Sequence, residues 1–327
     1  MPSVSGCRLP HGVSFFVYDC HWGFGFPESR HWVLPDSPRT NVAIRNGTDK
    51  HLMNSLEVSA RGPGFYGSYV LPIATLVERE FVRFLRQRSR VVGALAQPVI
   101  FWVLFGAGLS GTASSGGSVS FQEYFLPGAA LMIVLFTSIF SSISVIQDRN
   151  EGFLQGVLAS PVPRLSLVLG KLCGGALLAL SQAMLFLWSA PLLQYVGLAP
   201  EMSLGFTLAQ SLAMIGVLFL TGLGMAGLGF LFAWKIDSVQ GFHGVMSVLL
   251  MPMWLLSGAF FPPNGSRWLS WVVAINPLSY GLAALRHVIG QGGTEGLPSL
   301  PVSLAVSGAF AVSCVSLGVW MTRRPTA

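Results

Sequence analysis

Residues 127–147 read PGAALMIVLFTSIFSSISVIQ, 21 positions without one Asp, Glu, Lys or Arg. A helix rises about 1.5 Å per residue, so roughly 20 apolar residues cross about 30 Å of hydrocarbon. Five more stretches share this character, at 91–112, 172–196, 206–234, 244–262 and 302–321. Lipid cannot satisfy exposed backbone polar groups, so each is expected to be a helix. The one at 206–234 is long enough to tilt or to project beyond the bilayer. Composition agrees: 52% of residues are hydrophobic and 10% charged, with a mean hydropathy of +0.62. A soluble domain carries about 25% charged residues. The sequence therefore reads as an all-α integral membrane protein of six transmembrane helices. Its function is to move something across a membrane or to recognise something in it.

The net charge is +6, and its placement orients the chain. Arg79, Arg83, Arg86, Arg88 and Arg90 precede the first stretch, and Arg149, Arg164 and Lys171 lie between the second and third. Lys235 follows the fourth, and Arg323 and Arg324 follow the sixth. Loops 113–126 and 197–205 hold no Lys or Arg, and the last outer loop has only Arg267 and Arg286. The positive-inside rule then places both termini in the cytoplasm, at a plasma (inner) membrane, and an even number of spans agrees. Basic residues that flank spans argue against nucleic acid as a partner and for membrane lipids.

Cys7, Cys20, Cys173 and Cys314 show no disulfide framework, since two fall in spans and two on the expected cytoplasmic side. Cys7, His11, Cys20 and His21 match no zinc spacing, so no metal is expected. Residues 1–70 are rich in Gly, Pro, Ser, His and Arg without sustained periodicity. They read as a disordered or non-native extension, with Met53 as an alternative start, ahead of a membrane domain at 71–325.

Order begins near Pro72. Ile73, Leu76, Val77, Phe81, Phe84 and Leu85 recur at helical spacing, opposite Glu78, Arg79, Glu80, Arg83 and Arg86. An amphipathic helix just before a span is expected to lie in the interface, its cations near anionic headgroups. Gln97-Pro98 predicts a kink in the first span. Gly170-x-x-x-Gly174 and the series Gly222, Gly224, Gly227 and Gly229 predict close helix packing. Between the fifth and sixth spans, Trp268, Trp271, Val272 and Ile275 form an apolar stripe that Asn276-Pro277 breaks. A second short helix, Leu278 to Ile289 and containing Tyr280, follows. The pair reads as re-entrant or interfacial, with Trp at headgroup depth.

Chemistry of the chain's own is hard to find. No G-x-x-x-x-G-K-[ST], H-E-x-x-H, G-x-S-x-G or C-x-x-C occurs. No catalytic residue is assigned. The spans lack the buried carboxylates of a proton-coupled carrier, and His243 reads as a boundary residue. A transporter of this kind must draw its energy elsewhere, and a partner ATPase is the simplest source. The loop from Gln147 to Arg164 is the best contact candidate. Its Leu154, Val157 and Leu158 share one face of a short helix that Pro161 ends. Such a helix suits a groove on a soluble partner or the membrane surface.

The run QDRNEGFLQGVLASPVPRLSLVLGK, 147–171, resembles the cytoplasmic loop of type-2 ABC exporter permeases. There E-R-x-x-G-T-x-E-x-L-x-x-S-P precedes a G-K that opens the third span. The run LSGAFFPPNGSRWLSWVVAINPLSYGLAALR, 256–286, is similar to the same family's fifth span and outer helices, with its N-P-L-[ST]-Y signature. The likeness covers about residues 73–325, closest in flavour to daunorubicin-type and nodulation-factor-type permeases. It implies a homodimer or close heterodimer, driven by two ATPase subunits that carry ATP and Mg²⁺, with no cofactor in this chain. Asp148, Arg149, Glu151, Gly152, Leu154, Leu158, Ser160 and Pro161 would make the contact with the ATPase. Glu78, Arg79, Phe81, Arg83 and Arg86 would belong to the interface helix. Trp268, Trp271, Asn276, Pro277 and Tyr280 would belong to the outer cap. Phe153 and Gln155 depart from the family's Thr and Glu.

Two other function classes stay open on sequence. One is a membrane enzyme acting on lipid, for which Asp148, Glu151, Asp237 and Glu295 are scattered without a catalytic pattern. The other is a non-catalytic assembly subunit. Phe101, Trp102, Phe105, Phe136, Phe140, Met251, Met253 and Trp254 suit an apolar or amphipathic cargo, and would pack equally well against lipid.

Overall fold

A computed structural model describes residues 69–113, 121–160, 162–195, 206–260, 267–290 and 296–323. Expectations that fall on residues 1–68, on Pro161 or beyond Arg323 lie outside the described residues. Regular structure among the described residues is helical throughout. The elements are α1 (Leu71–Arg86), α2 (Arg88–Ala113), α3 (Phe121–Ser141), α4 (Ile143–Asn150), α5 (Phe153–Ala159) and α6 (Arg164–Tyr195). They continue as α7 (Leu208–Lys235), α8 (Val239–Trp254), α9 (Arg267–Ile275), α10 (Pro277–Ile289) and α11 (Leu300–Arg323), with a π turn at Leu255–Ala259 after α8.

Five segments are long and apolar enough to cross a membrane: Phe121–Asn150, Arg164–Leu193, Leu208–Lys235, Val239–Ala259 and Leu300–Arg323. The chain is an all-α, multi-pass membrane protein. The expected first span coincides with α2, whose apolar part among the described residues, Leu95–Gly106, is short for a crossing on its own. The expected outer helices are α9 and α10, bent by 88° at Asn276.

Helix α7 is the hub, and glycine makes it so. A Cβ on Gly222 would meet Ala176 of α6, and one on Gly229 would stand 2.9 Å from the Ile139 backbone of α3. On Gly224 and Gly227 it would strike Phe310 and Cys314 of α11. The start of α7 is fixed by a capping box, in which Thr207 and Gln210 each accept from the other's backbone N–H. Helix α3 is buried without a break from Phe125 to Leu135. Helix α8 instead buries one stripe, Phe242, Met246, Leu250 and Trp254, and leaves Val245, Val248 and Met251 exposed. Helix α11 buries only small residues, Ser303, Ser307, Ala311, Cys314 and Gly318 among them. In lipid a helix needs no apolar neighbour on its outer faces, so these faces stay apolar and uncovered.

The expected Gly170-x-x-x-Gly174 contact is made by α1. A Cβ at 170 would stand 2.8 Å from Leu76, and one at 174 would stand 3.0 Å from Cγ of Glu80. Two glycines one turn apart let α1 lie against α6, with Leu76, Glu80 and Phe84 as its buried stripe.

Candidate functional site

The loop after α3 folds back on its own bundle. Gly152 ends α4 and opens α5 at φ +77°, a left-handed conformation that glycine adopts at no steric cost. Ser160 closes α5, its hydroxyl donating to the Val157 carbonyl at 2.7 Å. Leu154 is buried, and Val157 and Leu158 pack on the core. The apolar face expected to fill a partner's groove is therefore occupied inside the subunit. Glu151, Gly152, Phe153, Gln155, Gly156 and Ala159 remain exposed. Phe153, where the resemblance led us to expect Thr, carries the Arg79 guanidinium 3.8 Å above its ring.

Under this loop lies a buried ionic cluster. Asp148 is fully buried and accepts two hydrogen bonds from Arg79, at 2.6 and 2.8 Å, and one from Arg83 at 3.0 Å. Lys171 of α6 donates to Asp148, to Glu80 and, at 3.2 Å, to the Ser144 hydroxyl. Arg83 reaches Glu151 at 3.4 Å. Three cations, Arg79, Arg83 and Lys171, thus face three anions, Glu80, Asp148 and Glu151. Buried charges are tolerated in such balance, because each left alone would keep its desolvation cost. The hydrogen bond to Asp148, above all, holds Arg79 protonated beyond its usual range.

This corrects the expected orientation of α1. Arg79, Glu80 and Arg83 turn into the bundle, while Glu78 and Arg86 stay exposed beside the exposed apolar Leu71, Val82 and Leu85, and Phe81 is half-buried. A single helix wheel shows which residues are charged. It does not show that opposite charges on α4 and α6 await them.

Arg149 ties the loop to a second place. It donates to the carbonyls of Trp234 at 2.9 Å, Ala233 at 3.4 Å and Ile236, and pairs with Asp237 at 3.3 Å. A cation on the last carbonyls of α7 is favoured by the helix dipole. The turn it grips leads directly into α8.

Between α1, α2, α3, α4, α6 and α8 lies a cleft of about 430 Å³. Met132, Ile133, Phe136, Phe140 and Leu178 form its apolar walls, and Glu80, Arg83, Gln97, Gln147 and His243 lie among its polar groups. The His243 ring sits 4.8 Å from that of Phe140. Of the aromatic residues expected to suit a cargo, Phe136 and Phe140 line this cleft. Trp102 and Trp254 are instead buried, their indole N–H groups donating to the carbonyls of Gln122 and Gly128 at 3.0 and 2.9 Å.

At the opposite end, Asn276 caps α10 by accepting from Leu278 N–H at 3.0 Å, and donates to the Met253 carbonyl at 2.6 Å. Pro277 follows as the first helical residue, and Tyr280 donates to Ala274 at 2.8 Å. Trp268 and Trp271 are exposed. Arg286, which reads in sequence as a loop cation, is buried 4.1 Å over the Tyr124 ring. Arg286 and Tyr124 both donate to the carbonyl of Gly258, at 3.1 and 3.3 Å, where the backbone turns at φ +88°. Among the described residues no group of His, Cys, Asp and Glu could hold a metal ion.

The sequence pattern of the ABC-2 type transporter family matches residues 72–289, from the start of α1 to the end of α10. The chain belongs to the ABC-2 type transporter family. Among relatives, the Mycobacterium tuberculosis "Probable doxorubicin resistance ABC transporter permease protein DrrC" is 25% identical over 272 residues, 81% of this chain and 95% of the relative. Nodulation protein J of Rhizobium meliloti is 26% identical over 210 residues, 62% and 74% of the two chains. The daunorubicin resistance ABC transporter permease protein DrrB1 of Streptomyces coeruleorubidus is 21% identical over 263 residues, 76% and 85%. As a member of the ABC-2 family, the chain is a membrane subunit of an ABC transporter.

Within this ABC-2 subunit the loop residues singled out in sequence divide in two. Asp148, Arg149 and Leu154 hold the loop to the bundle, whereas Glu151 and Gly152 face outward. Sequence reasoning did not single out Glu80 and Lys171 as a pair. The signal was present in Lys171, a cation at the head of a span, which calls for a buried anion.

Proposed function

We propose that the chain is the permease subunit of an ATP-driven exporter. It moves an apolar or amphipathic cargo, a drug, lipid or lipid-linked glycan, out of the cytoplasm across the plasma (inner) membrane. A separate ATPase carries ATP and Mg²⁺ and docks on the exposed face of Glu151, Gly152, Gln155, Gly156 and Ala159. A second copy or close paralogue completes the path. In this reading α2 supplies the first of six spans, both termini are cytoplasmic, and α9 and α10 dip into the outer side and return. The resistance named for two relatives supports an amphipathic cargo.

The observation that carries the reading is the double attachment of the loop. Asp148 binds it to α1 and α6, and Arg149 binds it to the turn that begins α8. A push on the exposed face then reaches helices on both sides of the cleft. The cleft can thereby switch from inward to outward access as a packed, two-state element. Pull-down of the tagged, detergent-solubilised chain, followed by an ATPase assay, tests this. Capture of a P-loop ATPase with vanadate-sensitive activity is expected. An intact chain recovered alone and inactive would sink the exporter reading.

A further inference from the structure

The cleft has a chemical preference that follows from how its charges are used. Glu80 is committed to Lys171, and Arg83 to Asp148 and Glu151, so these two charged groups on its wall already hold opposite charges, and the His243 ring lies against Phe140. Two carboxamides are in a different position. Gln97 of α2 is exposed and Gln147 of α4 half-buried, both on the cleft wall. Neither side chain has a hydrogen-bond partner among the described residues. The neighbouring hydroxyls are engaged: Thr137 donates to Gln182 at 2.6 Å, Ser141 to the Ser138 carbonyl at 2.6 Å, and Ser144 accepts from Lys171. A carboxamide offers both a donor and an acceptor and no charge. Beyond the amides the wall turns apolar, with Phe136, Phe140, Met132, Ile133 and Leu178.

We infer that the cleft selects an amphiphile with an uncharged, hydrogen-bonding head, held by Gln97 and Gln147, its tail lying along Phe136 and Phe140. A charged head at Glu80 or Arg83 would compete with ion pairs already made, whereas a hydroxyl- or amide-bearing head finds two open partners. A volume of about 430 Å³ is in the range of small-molecule sites. The occupant meant is a transported cargo and not a resident bilayer lipid. The inference rests on the exporter reading for that word alone.

The test uses the full chain in phosphatidylcholine nanodiscs, without any ATPase. Three probes share a decyl chain bearing a diazirine and differ in the head: glucosyl, phosphate or trimethylammonium. Adducts are mapped by mass spectrometry. The glucosyl probe is expected to label the 132–140 segment most strongly and to be competed by unlabelled decyl glucoside. Gln97→Ala and Gln147→Ala should each weaken that labelling about fivefold, the worth of one ordinary hydrogen bond. Gln147→Glu keeps size and fold while adding a charge, and should shift preference towards the trimethylammonium probe. Equal or stronger labelling by a charged probe in the unaltered chain would overturn the inference. So would glucosyl labelling that ignores both glutamines, or a cleft that none of the probes enters because lipid fills it. Because no ATPase is present, a failed pull-down with selective labelling would sink export and leave the head preference standing.

Discussion

The two ends of the bundle are held by opposite chemistry. At the basic end, six charged side chains on α1, α4, the turn after α4 and α6 form the balanced cluster around Asp148. At the other end, Phe105, Phe121, Phe125, Trp254 and Phe260 meet mostly edge to face, with centroids 4.9 to 6.2 Å apart. Aromatic packing is forgiving, because many apolar shapes fill nearly the same volume. A buried ionic cluster is not, because each charge needs its counterpart. The difference separates an end that can be rearranged by an added or removed charge from an end that holds its shape.

The hardest blow to this contrast falls on Lys171. Lys171→Met leaves Glu80 and Asp148 facing each other in the interior, and about 3–5 kcal/mol of stability should be lost. Thermal unfolding followed by size-exclusion fluorescence would read it. Adding Glu80→Leu to the same chain should recover part of the loss, since Asp148 keeps its two arginines. No recovery would mean that the cluster acts by shape and not by charge.

Gly174→Leu is expected to be next, at about 1–3 kcal/mol, the usual cost of overpacking. The added side chain would lever Glu80 away from Lys171, so α1 should become accessible to protease in the detergent-solubilised chain. At the aromatic end, Phe260→Leu should cost less than about 1.5 kcal/mol. A loss as large as that of Lys171→Met would erase the contrast. Glu151→Ala sits at the bottom of the scale, within about 0.5 kcal/mol, as for most surface changes. Its effect should appear instead as weaker capture of the proposed ATPase, and unaltered capture would remove Glu151 from the proposed docking face.

Much of the fold was legible in sequence because lipid imposes simple rules. Long apolar runs gave the helices, Asn276-Pro277 gave the 88° bend, and Gly170-x-x-x-Gly174 gave a close packing site. The candidate site was legible only in part. Arg79 and Asp148 are 69 residues apart, and Arg149 and Trp234 85 apart. Periodicity within one helix carries no information about such pairs. It told correctly that α1 has two faces and wrongly which of its charges meet water. Arg286 was missed for the same reason, since its partners are a tyrosine ring and the carbonyl of Gly258, a turn 28 residues earlier.

The charge cluster also bears on how the chain is made. Arg79 and Arg83 leave the ribosome 69 and 65 residues ahead of Asp148. While the first apolar helix is being inserted, they are cations still lacking their main counter-ion, of the kind that keeps a segment on the cytoplasmic side. Once Asp148 and Lys171 have been synthesised, the same two arginines become neutralised structural groups. Cations that are free during synthesis are in this way consumed by assembly, and the finished subunit presents fewer unpaired charges than its sequence contains.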